Sequence, residues 1–270
     1  DKDLETWSAN DFFRAMYFHF TESMREAELL KKEPVNAMSE MVRKGQNSEK
    51  LRPTLFDFLA HRAIDYFSRE ENEVTRPAYR FEMNDARAFA KAEEFIQVRF
   101  ETPDSMEQKF QVLKLYQELL RFHLRDADPA ALIDVDLARI QYVQDFSSLP
   151  EKNNKYRAAL EQIAQRFPEQ EQAAMANFLL AETYTQTGKT FGRKAGYADD
   201  SKAYYVEAKK RCDAIVEKFP DSEAAFRANT LLQQIEQKNL NLQTEKVVLP
   251  NAPFLAKVLY KNIPIIYCKL

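Results

Sequence analysis

Residues 156–184, YRAALEQIAQRFPEQEQAAMANFLLAETY, and residues 208–236, AKKRCDAIVEKFPDSEAAFRANTLLQQIE, are two versions of one pattern. At this offset of 52, nine of 29 positions are identical, against about two expected by chance. Ile163, Phe167, Pro168, Glu171, Ala173, Ala176, Asn177, Leu179 and Leu180 recur as Ile215, Phe219, Pro220, Glu223, Ala225, Ala228, Asn229, Leu231 and Leu232. Each copy reads as helix, Phe-Pro corner, helix. The proline ends the first helix because it has no N–H to donate and its ring crowds the preceding turn. The glutamate after it suits the positive end of the next helix, and the small alanines let helices approach closely.

The pattern resembles tetratricopeptide-type αα-repeats. Its period departs from their usual ~34 residues because Gln186–Tyr204 is inserted, with three of the four glycines of the chain. An exposed excursion is expected there.

Working toward the N-terminus, Asp128 and Pro129 open a helix through Ile133, Leu137, Ile140, Tyr142 and Phe146. It pairs as an αα-hairpin with a helix over Met106–Leu124, whose apolar positions cover more than half its circumference and call for neighbours on two sides. Leu51, Leu55, Phe58, Leu59, Ala63, Tyr66 and Phe67 predict a further helix, with Pro53 near its first turn. Residues 72–83, with Pro77, read as a crossing loop, and helices resume after Asp85. Pro34–Lys44 reads as a short helix with Val35, Met38 and Met41 inward, ended by Gly45 in a left-handed conformation. Trp7, Phe12, Phe13, Met16, Tyr17 and Phe20 form the stripe of a first helix, capped from Ser8 or Asn10.

Toward the C-terminus the pattern changes at about Gln243. Val247–Leu249, Phe254–Tyr260 and Ile265–Leu270 are β-branched or aromatic runs of rough period two, broken by Pro250–Pro253 and Asn262–Pro264, and predict strands. A hairpin with open edges and bare apolar faces leads to the expectation that the natural chain continues into a β-domain.

Composition agrees with a helical protein. Glycine numbers 4 of 270 residues, so folds built on tight glycine turns are poor candidates, and 45% hydrophobic with 30% charged residues suits packed amphipathic helices. The expected class is all-α: an N-terminal helical bundle over 1–126, tetratricopeptide-like repeats over 127–243, and a β-strand segment over 244–270. The 39 basic and 42 acidic residues give a net charge of −3, spread evenly, which favours neither nucleic acid nor anionic lipid as partner. No run approaches the ~18 apolar residues of a membrane span. Two cysteines, Cys212 and Cys268, make no disulfide framework.

Chemistry-bearing motifs are few. Gly188-Lys189-Thr190 resembles the end of a phosphate loop, but Thr183 stands where the earlier glycine is required and helix precedes it. His61 lies four residues from both Asp57 and Asp65 on one helix face; a salt link or a core histidine is the reading, since no third ligand accompanies it. Glu70-Glu71, Glu93-Glu94 and Asp199-Asp200 are acid pairs whose members point to different helix faces, and Asp199-Asp200 sits where an N-cap is wanted. No catalytic, metal or cofactor-binding residue is named, and no cofactor is expected. In a solenoid groove, Asn177 and Asn229 are the lining candidates, though bridging between helices accounts for them as well.

Two stretches carry a wider resemblance. LRPTLFDFLAHRAID, residues 51–65, is similar to a segment near the N-terminus of very large Bacteroidetes alpha-2-macroglobulin-like proteins. The tail from Glu245 through VVLPNAPF (247–254) to Tyr260-Lys261-Asn262 resembles the opening of their first macroglobulin β-domain, and Tyr156–Ile235 resembles the helical repeats between. The resemblance implies an extracytoplasmic, envelope-anchored, protease-trapping protein of which this chain is a helical accessory module. Its partners would be the macroglobulin β-domains of its own polypeptide, with proteases or envelope proteins beyond. The family's thioester needs Cys-Gly-Glu-Gln, whereas Cys212 precedes Asp-Ala and Cys268 precedes Lys-Leu, so neither carries it. Two rival classes are a glycan- or protein-binding surface protein of tetratricopeptide type, against which scarce glycine and a single tryptophan speak, and a helical-barrel glycoside hydrolase with paired carboxylates.

Overall fold

The computed structural model describes residues 4–43, 45, 47–69, 81–195, 199–245, 247 and 253–267. It is mostly helical with a short antiparallel hairpin near the C-terminus. The chain divides into two compact units, residues 1–176 and 177–270.

In the N-terminal unit, α1 (Ala9–Ser23) starts at a capping box: Ser8 Oγ accepts the Asp11 N–H at 3.2 Å and the Asp11 carboxylate accepts the Ser8 N–H at 3.0 Å. The short α2 (Ala27–Leu30), a 3₁₀ turn (Val35–Met38) and α3 (Ser48–Leu51) lead to α4 (Leu55–Phe67). The rings of Phe13, Tyr17 and Phe20 on α1 surround Phe67 at 6.5, 6.1 and 5.7 Å. After a 3₁₀ turn (Ala86–Phe89) and α5 (Ala92–Phe95) come α6 (Gln108–His123), α7 (Ala130–Phe146) and α8 (Lys152–Arg166). As its broad apolar surface predicts, α6 lies between α4 and α7, burying Val112, Leu113, Leu119 and Leu120. Each such side chain contributes about 1.5–3 kcal/mol of burial free energy.

Several local expectations are corrected. Of the three residues expected inward on 34–44, Val35 is buried, but Met38 and Met41 are 43% and 81% exposed, because the segment forms a single 3₁₀ turn with no helical face to present. The left-handed residue is Asn47 (φ 59°), not Gly45. The buried apolar face of α4 is Phe56, Ala60, Ala63, Ile64 and Phe67, one step round from the expected stripe; Thr54 caps the helix, and Pro53 precedes the cap beside the first turn as expected. Helix resumes after Asp85 as expected, but only as two single turns, Ala86–Phe89 and Ala92–Phe95, and 96–105 is irregular. The 81–105 stretch is held by side chains from the bundle: Gln117 Nε2 donates to the Phe95 and Val98 carbonyls at 2.9 and 2.8 Å, Arg121 to that of Ile96 at 3.1 Å, and Ser147 Oγ to that of Met83 at 2.9 Å. The buried carbonyls of Met83, Phe95 and Val98, which would otherwise demand a helix or sheet, are thereby satisfied.

The repeat forms as expected. In the first copy α8 ends at Phe167-Pro168 and α9 (Glu171–Ala195) follows; in the second α10 (Asp199–Lys218) ends at Phe219-Pro220 and α11 (Glu223–Glu236) follows. The two corners match in detail. Phe167 N–H donates to Ile163 O at 3.1 Å and Phe219 N–H to Ile215 O at 2.9 Å, while Arg166 and Lys218 lie over the rings of Phe167 and Phe219. The inserted residues are not an excursion. Helix α9 runs through to Ala195 and α10 begins at Asp199, so the insertion lengthens the two helices. Hydroxyls of Thr183, Thr185, Thr187 and Thr190 bond back to helix carbonyls, so their polar groups are satisfied within the helix. At Gly188 α10 approaches closely, a Cβ there lying 2.9 Å from the Tyr205 ring.

β1 (Asn239–Thr244) pairs antiparallel with β2 (Ala256–Lys261), Leu240 opposite Tyr260 and Leu242 opposite Val258. β1 precedes the expected change at Gln243, and Ile265–Tyr267 are not strand; Val248, Leu249 and 268–270 lie outside the described residues.

Candidate functional site

The capping box of α4 holds the most connected polar group of the N-terminal unit. Thr54 Oγ1 accepts the Asp57 N–H at 3.3 Å, and Asp57 Oδ2 accepts the Thr54 N–H and hydroxyl at 2.9 and 2.7 Å. The other carboxylate oxygen, Oδ1, accepts from His123 Nε2 on α6 at 2.7 Å, and His123 Nδ1 donates to Asp126 at 2.7 Å. An imidazole with a carboxylate at each nitrogen is held as the cation. Burial alone would lower its pKa, but the two carboxylates outweigh burial and raise it. Burial alone would likewise raise the Asp57 carboxyl; the His123 cation and the Thr54 donors hold it below the ordinary carboxylate range. With both N–H groups committed and the ring closed to solvent, His123 is a strut between α4 and α6 and offers no lone pair to a substrate.

His61 behaves oppositely. Its Nδ1 donates to the Asp57 carbonyl at 2.8 Å, and its Nε2 is buried with no partner among the described residues. Burial, with the nearby Arg52 charge, pushes its pKa down to about 4, so it is neutral at physiological pH. Of the two readings of His61, the salt link to the Asp57 side chain is not made, since that carboxylate serves Thr54 and His123 and Asp65 is exposed, whereas the core histidine is what the structure shows.

Arg139 on α7 is fully buried. Its guanidinium donates to Asp136, to Ala88 O at 2.5 Å and to Ala90 O at 3.0 Å, and stacks 4.5 Å from the centre of the Phe95 ring. A planar cation with a fixed fork of donors suits this task, closing two carbonyls and one carboxylate at once.

The groove candidates differ. Asn177 is half-buried and accepts from Arg211 on α10 at 3.1 Å, in line with a bridging role, whereas Asn229 is exposed on α11. Gly188-Lys189-Thr190 lies within α9, Glu93 pairs with Arg166, and Glu70 and Glu71 lie outside the described residues. Cys212 is buried, and burial pushes its thiol up to about 11. Among the described residues no three His, Cys, Asp or Glu side chains are grouped to hold a metal ion, and no helix is long and apolar enough to cross a membrane.

The hairpin is fixed to the end of α11. Asn262, itself left-handed at φ 55°, donates to Ile235 O at 2.6 Å and Gln237 O at 3.2 Å, and Lys261 Nζ donates to Gln234 O at 2.6 Å. These bonds close carbonyls left open at the helix terminus. One face of the hairpin carries Leu240, Leu242, Val258 and Tyr260, all exposed; the other carries Asn239, Asn241, Gln243, Lys257, Leu259 and Lys261.

No protein-family model matches the chain, and neither a curated protein nor a solved structure matches it.

Proposed function

We propose that this chain is a non-enzymatic helical scaffold module, a spacer or protein-docking element set beside β-domains of its own polypeptide. The wider setting proposed is the one the sequence resemblance implies, an extracytoplasmic macroglobulin-like protein that traps proteases. The observation that carries the reading is the hairpin. It is anchored to the last repeat helix by Lys261 and Asn262 and turns four apolar side chains outward. A two-stranded hairpin is marginal by itself and gains stability from further strands, so β-structure is its natural complement. The polar core also supports the reading, since Asp57, His123 and Arg139 are each engaged in holding helices or irregular backbone together.

Determining the coding sequence on both sides of residues 1–270 tests it. The expected result is a secretion signal upstream and strand-rich domains downstream; a stop codon shortly after Leu270 contradicts the reading.

A further inference from the structure

A cleft of about 280 Å³ opens in the N-terminal unit between the 89–92 segment, α7 and α8. This is close to the lower end of the roughly 300–1,000 Å³ range of small-ligand sites. Its apolar wall is Phe89, Ile140, Ala159, Ile163 and Phe167; Lys91, Arg166, Gln162 and Gln165 supply the donors at its edge, and the Arg139–Asp136 pair forms its floor. The charges around it are unequal. Arg139 is matched by Asp136, and Arg166 by Glu93 at 2.5 Å, but Lys91 makes no ion pair among the described residues. One positive charge is therefore left over beside an apolar hollow, and the side-chain amides of Gln162 and Gln165 stand on the α8 rim.

We propose that this cleft binds a carboxylate carrying a short apolar chain: the chain lies against Phe89, Ile140 and Ile163, and the carboxylate meets Lys91 and Arg166 at the rim. The preformed floor favours this. Arg139 is locked by four acceptor contacts and Phe95, with its charge offset by Asp136, so the floor does not have to reorganise when an anion meets Lys91 at the rim. The chemistry is shared by a small free acid and by the C-terminus of an apolar peptide. The site is independent of the scaffold reading.

The test is a titration of the intact chain with sodium hexanoate, followed by amide ¹H–¹⁵N spectra. Saturable shifts centred on 89–92 and 162–167, with affinity in the millimolar range given the few atoms of the probe, are expected. Hexan-1-ol, of the same length without the charge, should bind at least tenfold more weakly. Lys91→Gln, an exposed change that leaves the fold intact, should weaken hexanoate by about tenfold, and Lys91→Arg should retain it. N-acetyl-Ala-Ala-Leu as the free acid separates the sources: tighter binding than hexanoate assigns the cleft to a peptide terminus, weaker binding to a free acid. No saturable shift with either acid, equal binding of the alcohol, or undiminished binding by Lys91→Gln overturns the proposal.

Discussion

Replacing Asp57 by asparagine should cost the N-terminal unit about 3 kcal/mol. The substitution keeps the shape and one acceptor oxygen but removes the charge shared by two tasks. Losing a hydrogen bond to a charged partner costs about 1.5–3 kcal/mol, and weakening the cap of α4 about 1 kcal/mol. Breaking a buried ion pair by removing one member costs about 3–5 kcal/mol in general, and Asp126 retains part of the His123 stabilisation, so the lower end applies. Trp7, the single tryptophan, stacks on Phe12 at 5.0 Å in this unit, so its fluorescence during urea unfolding reads the right transition. Thr54→Ala separates the terms: it removes the hydroxyl, with its cap and its bond to Asp57 Oδ2, but leaves the Asp57–His123 pair, and should cost about 1 kcal/mol. His123→Asn should cost as much as Asp57→Asn, and the double variant should fall short of the sum by about 2 kcal/mol, because the second change removes a partner already orphaned. The His123 pKa, read by NMR, should drop in Asp57→Asn. A loss under 1 kcal/mol, additive singles and an unmoved His123 would together refute the strut.

Three further outcomes follow from the same contacts. The stability of the N-terminal unit should peak near pH 6.5–7. His61 has a folded pKa of about 4 against 6.5 unfolded, so the unfolded chain binds the extra proton as pH falls through that window, costing about 3 kcal/mol when complete; His123, raised on folding, contributes fully below 6.5 and loses its contribution as pH rises through its folded value. Asp57, lowered on folding, adds stability above the ordinary carboxylate pKa that is lost as pH falls through its folded value, so it steepens only the acid end. Urea unfolding across pH should show this, and His61→Leu should flatten the limb between pH 6.5 and 4. Arg139→Met should cost about 3–5 kcal/mol, since Asp136 and the carbonyls of Ala88 and Ala90 lose their partner together; amide exchange at 86–95 should accelerate most, and a uniform acceleration would argue against a local role. Asn262→Ala should loosen the hairpin from α11 and cost about 1–2 kcal/mol, combining lost bonds to Ile235 and Gln237 with left-handed strain, while Asn262→Gly should cost less; equal losses would show that the strain is not felt.

The helices and the repeat were legible in the sequence because their signals are local: apolar spacing, the Ser8 cap, and two Phe-Pro corners that carry the same bonds in the structure. The irregular backbone over 96–105 was not, because the carbonyls at its start are satisfied from distant residues, Gln117 and Arg121, whose spacing from it carries no period. Helical continuity through 186–195 was hidden for a related reason: glycines and threonines are poor helix formers, and the neighbour packed against Gly188, Tyr205, is a tertiary contact with no local signal. β1 was readable from the alternation of Leu240 and Leu242 between polar residues, a signal masked by the long helix before it. At the polar centre, the sequence placed His61 and Asp57 on one helix, but the decisive partner, His123, is 66 residues away and only folding brings it there. Thr54, three residues before Asp57, was the available clue that this carboxylate begins as a cap.

The scaffold account turns on whether the hairpin belongs to a larger β-structure. Amide hydrogen exchange at 239–244 and 256–261 measures this directly, comparing residues 1–270 with the same chain extended by its natural downstream sequence. The account predicts fast exchange in the shorter chain and protection increased at least a hundredfold in the longer one, with α11 changing little. Equal protection in both would contradict it.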